Sequence, residues 1–343
     1  MFFVVTTFDL SPISRARGNG VLGEYYMGLA RAAVHLLMKE TAERPFSGSV
    51  VTLGRQHVYV TAAEAIEMAS NYSVQLKSIP VELHREPALA KHGFVSDDWL
   101  LKSLGFDEIV RVDVSDYESS DLIFDLNDSQ TPVSLLNRFD LVLDSGTLEH
   151  VFDFAAGLRH CVRMVRTAGR VIHLTPSSNC VEHGFYSVSP TLYTDYYSAS
   201  GFTIDRIWLC EIPLDLPRGV WNVFDYANSP ERFIPLGKLS SKIWFTFSVA
   251  TARQSVSPKT PQQWIYTKAW SKAESALKED PYSEANATKQ FEQGTRSRLL
   301  IDKLARFPWL KARAIVLILR WRKWINQIRD RSRKIPYPFV GKF

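Results

Sequence analysis

The stretch Phe139–His150, FDLVLDSGTLEH, limits the folds open to this chain more than any other. Phe139, Leu141 and Leu143 fill one register of a period-two pattern, and Val142 adds an apolar position to the other. A strand that is apolar on both faces is covered on both faces, so this is a central strand of an α/β sheet. It stops at Asp144-Ser145-Gly146-Thr147, and a helical pattern resumes in Val151, Phe154, Ala155 and Leu158. In an open α/β sheet ligands collect outside the carboxyl ends of the strands, which directs attention to Asp144 through His150.

Length and charge narrow the class. A chain of 343 residues can bury a sizeable core, and 45% apolar with 22% charged residues is a globular composition. No apolar run approaches the ~18 residues of a membrane span. The opening Met1–Val5 is too short, and too soon followed by Asp9, for a signal peptide, so a cytoplasmic protein is expected. Cys161, Cys180 and Cys210 show no C-x-x-C spacing, which suits a reduced compartment without a disulfide framework or a zinc site. The net charge of +5 conceals a split: residues 296–343 hold 14 of the 41 Lys/Arg and 2 of the 36 Asp/Glu, a balance of +12, against −7 for the rest. An acidic body with a basic tail implies an anionic partner for the tail and no nucleic acid on the body.

Taken in order, residues 1–46 read as a helical lead-in, with a helix from about Val21 to Thr41. Gly48–Leu53 is a buried strand running into Gly54, and Thr61-Ala62-Ala63-Glu64 has the spacing of a capping box opening a helix through about Ser70. Residues 71–96, with Pro80 and Pro87, form an insertion with a short helix near Pro87–His92, followed by a helix over Trp99–Leu104. Further strands are expected at Glu108–Val114, Leu122–Phe124, the organising stretch, and Arg170–Leu174, the last broken at Thr175-Pro176. The helix after the organising strand should run to about Thr167, with Gly169 as its cap. Ser189–Ser200 is helical, and Phe202–Leu209 and Ile243–Ala250 are strands. The fold expected is α/β: a doubly wound, mostly parallel sheet of about seven strands with an antiparallel edge, plus a basic C-terminal helical appendage. The divisions are 1–46, 47–255 for the sheet domain, 256–294 for a linker and 295–343 for the tail.

These residues carry a resemblance. Glycine after strand one, Asp113 after strand two, Asp125 after strand three, D-x-G-x-L-E-H-V at Asp144–Val151 and T-A-G-R-V-I at Thr167–Ile172 ahead of a proline are together similar to the Rossmann-like S-adenosylmethionine-dependent methyltransferases, over roughly residues 47–250. The resemblance implies that S-adenosylmethionine is the cofactor. Its methionine part would lie on Gly54, Arg55 and Gln56, its ribose hydroxyls on Asp113, its adenine near Asp125, Leu126 and Asn127, and its sulfonium beside Asp144, Ser145 and Gly146. The methyl acceptor is left unidentified.

Side-chain chemistry leaves alternatives open. A carboxylate suits a ribose diol, and Asp113 is also an ordinary turn former, with Asp116 and Glu118 as competitors. The first loop departs from G-x-G: it has one glycine and a large cation, and Gly54 stands 59 residues before Asp113 where ~20 is usual for a nucleotide-binding unit of this type. Arg55 either pairs with the cofactor carboxylate or with an acid of the inserted segment. His150, His183 and Tyr186 are the catalytic candidates, as general base and as groups orienting an acceptor hydroxyl, or else as loop-packing residues. With no H-x-x-x-H pair, no metal site is expected, and the absence of a G-x-S-x-G elbow argues against serine hydrolysis. In the tail, Leu310, Ala314, Leu317, Ile318, Trp321, Ile325 and Ile328 recur at helical spacing among basic residues. That composition predicts either attachment to an anionic membrane surface through residues 296–343 or packing on the acidic body.

Overall fold

The computed structural model describes residues 28–213, 218–227, 239–268, 270–271 and 338–343. The chain divides into two units, Met1–Ser229 with Ser241–Thr260 and Pro338–Phe343, and Pro230–Ser240 with Pro261–Tyr337. In the second, the described residues form a short helical segment from residue 264, with Lys268 Nζ 5.5 Å from the centre of the Trp264 ring. The expected tail helix lies outside the described residues.

The first unit is built on one sheet of nine strands: β1 Gly48–Leu53, β2 Phe106–Asp113, β3 Leu122–Ile123, β4 Phe139–Ser145, β5 Val165–Ser178, β6 Phe202–Ile212, β7 Asn222–Asp225, β8 Ile243–Ala252 and β9 Phe339–Lys342. Their spatial order is β3-β2-β1-β4-β5-β8-β6-β7-β9. Strands β1 to β5 are parallel, and β8 runs antiparallel between β5 and β6. This is the doubly wound α/β architecture expected, with nine strands in place of about seven. The antiparallel strand is internal, because β7 and β9 extend the sheet beyond it.

The order reverses between β1 and β4, the switch point at whose carboxyl edge open α/β sheets place their ligand crevice. Both strands are buried almost throughout, which is why their sequences read as continuous apolar runs. One face is covered by α1, Arg31–Glu43, and α4, Asp97–Ser103, in a core that includes Leu36, Leu37, Trp99, Leu143 and Ile172. Each fully buried aliphatic side chain of this kind contributes ~1.5–3 kcal/mol. The remaining helices are α2, Ala62–Asn71, α3, Pro87–Ala90, α5, Phe154–Met164, and α6, Pro190–Ala199. The capping box of α2 is present in both arms: Thr61 Oγ1 accepts from the Glu64 amide at 3.2 Å, and Glu64 Oε2 accepts from the Thr61 amide at 2.9 Å.

Several boundaries differ from the sequence reading. Helix α5 stops at Met164, and residues 165–169 are already extended, with Val165 paired to Phe139 across a bulge. Strand β5 also runs through Pro176, which needs no donor there: it pairs with Phe245, and its carbonyl accepts from the Val188 amide at 2.7 Å. Residues 256–260, read as the start of the linker, remain on the sheet unit, where the Ser257 amide donates to Ser200 O at 3.1 Å. Within the stretch assigned to the tail, Phe339–Lys342 form β9, and Phe343 and Trp221 exchange backbone hydrogen bonds of 2.8 and 3.1 Å.

Candidate active site at the carboxyl edge

Strand β1 ends where Gly54 takes φ +69°, a left-handed conformation that glycine adopts without steric cost. A Cβ at this position would stand 3.2 Å from Thr147 Oγ1 and 3.7 Å from Asp113 Oδ2. The ends of β1, β2 and β4 therefore meet at Gly54. Thr147 donates to Leu53 O at 2.6 Å, which fixes the loop after β4 to the end of β1. Asp113 is half-buried, and its Oδ1 accepts from the Ser115 amide at 3.1 Å, so it shapes its turn while Oδ2 faces Gly54. After β3, Asp125 Oδ1 accepts from the amide and the side chain of Asn127, both at 2.8 Å. Asn127 Oδ1 in turn accepts from the Asp153 amide at 2.9 Å, and Leu126 between them is buried. Thr147 is absent from the candidates that the sequence suggests. Its only signal is its place among the small residues of the turn.

The side chains of Arg55 and Gln56 are both committed within the chain. The Arg55 guanidinium donates to Asp97 Oδ1 at 2.9 Å, Glu118 O at 2.6 Å and Ser119 O at 2.8 Å. Of the two readings of Arg55, the structure holds the pairing with an acid, at the residue that closes the inserted segment. Asp97 also accepts from Arg111 Nε at 2.7 Å, and Arg111 reaches Asp98 at 2.7 Å and Asp121 at 3.0 Å. Burial alone would lower the basicity of Arg111, but Asp97 and Asp98 outweigh it and raise it. Burial would likewise raise Asp98, and Arg111 overcomes it and holds the carboxyl below its ordinary value. Gln56 is buried with its Nε2 on Leu53 O at 3.0 Å, a backbone-stapling role.

Asp144 is sealed from solvent. Its Oδ1 accepts from the amides of Thr147 at 3.1 Å and Leu148 at 3.2 Å, and its Oδ2 lies 2.7 Å from His173 Nδ1. His173 Nε2 is 2.6 Å from the Tyr197 hydroxyl. This buried chain holds the turn after β4 in shape, so Asp144 positions the loop and does not reach a ligand itself. Ser145 donates to Gly28 O at 3.2 Å, and Gly146 is buried at φ +90°. The segment at Gly28–Ala30 thus walls the crevice, with Leu29 bridged to Val58.

Beyond the turn, Leu148–His150 forms a single 3-10 turn, and α5 starts only at Phe154, capped by Asp153. Glu149 is fully buried, and burial raises its carboxyl above the ordinary value, with His183 opposing the shift and Asp144 reinforcing it. His150 is exposed at the chain surface, and its imidazole is lowered by partial burial and by neighbouring His183. The rings of His150 and His183 lie 5.4 Å apart, and His183 Nε2 stands 3.4 Å from Glu149 Oε1. The loop after β5 docks by two amides, Phe185 at 2.8 Å and Tyr186 at 3.2 Å, both donating to Glu149 O. The Tyr186 hydroxyl, however, donates to Phe152 O at 2.7 Å, so it is committed to the backbone and does not join the two histidines. Five of the sequence candidates thus fall into two corners of one sheet edge or border them: Gly54 and Asp113 joined by Thr147, His150 and His183 joined by Glu149, and Ser145 at the turn between. Arg55, Gln56 and Asp144 are built into the scaffold between and beneath them.

No family model and no curated protein matches this sequence. Among solved structures it is similar to the YcgJ protein of Bacillus subtilis, at 11% identity over 65% of this chain and 100% of that one, with a TM-score of 0.35. It is similar to the N-methyltransferase NodS of Bradyrhizobium japonicum, at 10% identity over 64% and 94% of the two chains and a TM-score of 0.31. A third is the 1,6-didemethyltoxoflavin-N1-methyltransferase of Burkholderia thailandensis, solved with its substrate and S-adenosylhomocysteine, at 14% identity over 65% and 78% and a TM-score of 0.30. Likeness at this level adds nothing to what the strands themselves establish. The order β3-β2-β1-β4-β5, with an antiparallel strand inserted before β6, gives the chain a Rossmann-like, doubly wound α/β fold.

Proposed function

We propose that the chain is an S-adenosylmethionine-dependent methyltransferase that acts on an oxygen or nitrogen of an acceptor drawn from small molecules, glycans or lipids. One observation carries this reading: Gly54, Asp113 and Thr147 meet at the point where the strand order reverses, with Asp113 Oδ2 and Thr147 Oγ1 both beside a glycine that leaves the backbone open to close approach. S-adenosylmethionine supplies an electrophilic methyl group on a sulfonium. In this reading Asp113 accepts the two ribose hydroxyls, Gly54 admits the cofactor against the backbone, and the loop at Asp125–Asn127 borders the base. His150 and His183 stand on the acceptor side of the turn after β4. The methyl group moves to a lone pair of the acceptor, the sulfur keeps the bonding electrons, and the acceptor's proton leaves to solvent or to a side chain. Most of the rate enhancement in such a transfer is positioning, ~7–11 kcal/mol when both reactants are held near attack geometry.

The experiment is a comparison of S-adenosylhomocysteine affinity in the intact protein and in Asp113→Ala, with a loss of ~1–3 kcal/mol expected for the unpaired hydroxyls. Equal affinities would remove Asp113 from the site. Arg55 and Gln56 favour a second reading, a sheet that has kept the architecture without the cofactor, because the cation of the first loop is consumed by Asp97. A folded protein that ignores S-adenosylhomocysteine selects this alternative. For the basic residues 296–343 we retain the proposal of an anionic membrane partner, tested by salt-sensitive sedimentation with anionic vesicles. No described helix is long and apolar enough to cross a membrane.

A further inference from the structure

Glu149 presents an unusual problem for a folded chain. It is fully buried, and among the described residues its carboxylate oxygens have no well-aligned hydrogen bond, only the long contact with His183. A buried carboxylate without hydrogen bonds is costly unless a cation pairs with it or a metal coordinates it. The nearest charged or ligating groups are imidazoles. His183 Nε2 lies 3.4 Å from Glu149 Oε1, and one ligand atom from each of Glu149, His150 and His183 falls within 4.8 Å of the other two.

We propose that Glu149, His150 and His183 bind one divalent first-row transition-metal ion. Two imidazoles and one carboxylate are the donors that Zn2+, Fe2+ or Co2+ take, whereas Mg2+ and Ca2+ prefer oxygen alone. Metal–ligand bonds of ~2.0–2.2 Å around a tetrahedral ion separate the ligand atoms by about 3.4 Å. The Glu149 to His183 separation already has that value, and His150, on the exposed side, closes the set by a small side-chain movement. The backbone is fixed for this purpose: the loop carrying His183 is held on Glu149 O by the Phe185 and Tyr186 amides. Gly184 packs so closely that a Cβ would meet Glu149 O at 2.9 Å. Three protein ligands leave a fourth position open, as in zinc sites that bind water or substrate. Because Thr147, two residues before Glu149, borders the Gly54 corner, that position falls at the same sheet edge as the proposed methyl-transfer site. The absence of H-x-x-x-H spacing hides this set from the sequence, since His183 follows His150 by 33 residues and arrives on the next strand's loop.

The test is a Co2+ titration of the chelator-treated full-length protein, read by the visible absorption of bound Co2+ and by its displacement with Zn2+. It does not depend on S-adenosylmethionine, so its outcome is separate from that of the function proposed above. A band saturating at one Co2+ per chain is expected, with affinity falling at least tenfold in His150→Ala, His183→Ala and Glu149→Gln. Circular dichroism establishes that the variants are folded, and exposed His150 gives a variant that leaves the core intact. His84→Ala is the control, because His57, His84 and Glu86 form another histidine and carboxylate group, in which His57 Nδ1 and His84 Nε2 share a hydrogen bond of 2.9 Å. The proposal is overturned if no band forms, if it survives unchanged in His150→Ala and His183→Ala, or if His84→Ala abolishes it.

Discussion

At the ends of β1 and β2, Arg55 and Arg111 meet Asp97, Asp98 and Asp121, and every charge there has an opposite charge within 4 Å. After β4 and β5, at the same edge of the same sheet, Glu149 is buried just as deeply, but its nearest opposite charge is an imidazole 3.4 Å away and, among the described residues, no well-aligned hydrogen bond reaches its oxygens. A compensated cluster is architecture: its partners lie within the chain, and nothing is left over for a ligand. An uncompensated one points outward, because its missing partner has to come from elsewhere. The contrast also explains why Arg55, the most conspicuous residue of the first loop, is tied into the scaffold, while the small residues Gly54 and Thr147 stand where the ends of β1, β2 and β4 meet.

The comparison is broken most severely by attacking the compensated side. Replacing Arg111 by Met leaves Asp97 and Asp98 buried without their main partner, and chemical unfolding should show a loss of ~3–5 kcal/mol. A loss below ~1 kcal/mol would mean that the network is not holding the inserted segment to β2. Next comes Asp144→Ala, which strands two backbone amides and His173, at an expected cost of ~1–3 kcal/mol. Since Asp144 shapes the turn that carries Thr147, this variant should also weaken S-adenosylhomocysteine binding although Asp144 touches no ligand. On the uncompensated side the sign reverses: Glu149→Gln in metal-free protein should leave the melting temperature unchanged or raise it slightly, a gain of up to ~1 kcal/mol, because a buried charge without a hydrogen bond is removed. A marked drop would show that Glu149 has a structural partner.

A separate effect, seen only on acidification, is a background that must be subtracted from any pH study of either corner. His35, on α1 against Tyr72, is lowered from 6.5 to about 4 by burial and by Arg31. Protonation therefore favours the unfolded chain. Stability from this group is complete above pH 6.5 and declines as the pH falls from 6.5 toward about 4, and His35→Gln should flatten that part of the melting-temperature profile.

What the sequence disclosed was local or periodic. The capping box at Thr61 and Glu64 spans three residues, β4 carries its burial on both faces in its own composition, and Gly54 marks the end of β1 as a glycine at a strand terminus does. Contacts between distant segments stayed hidden. Thr147 reaches Leu53 across 94 residues, Arg55 meets Asp97 across 42, and the His183 loop closes on Glu149 from the following strand. Strand β9 pairs with β7 from the far end of the chain, where a run of basic helical residues dominated the pattern. Thr175-Pro176 reads as a break because a proline restricts the residue before it, yet the extended backbone it favours there is that of a strand. The Pro176 carbonyl still accepts, which suffices in a strand whose pairing shifts register just beyond it.

Whether the Gly54, Asp113 and Thr147 corner holds a nucleoside cofactor is decided by calorimetric titration of the intact, folded protein with S-adenosylhomocysteine. A saturable heat at one ligand per chain, weakened in Asp113→Ala, is expected. A folded protein that gives no heat up to millimolar ligand rules the cofactor site out.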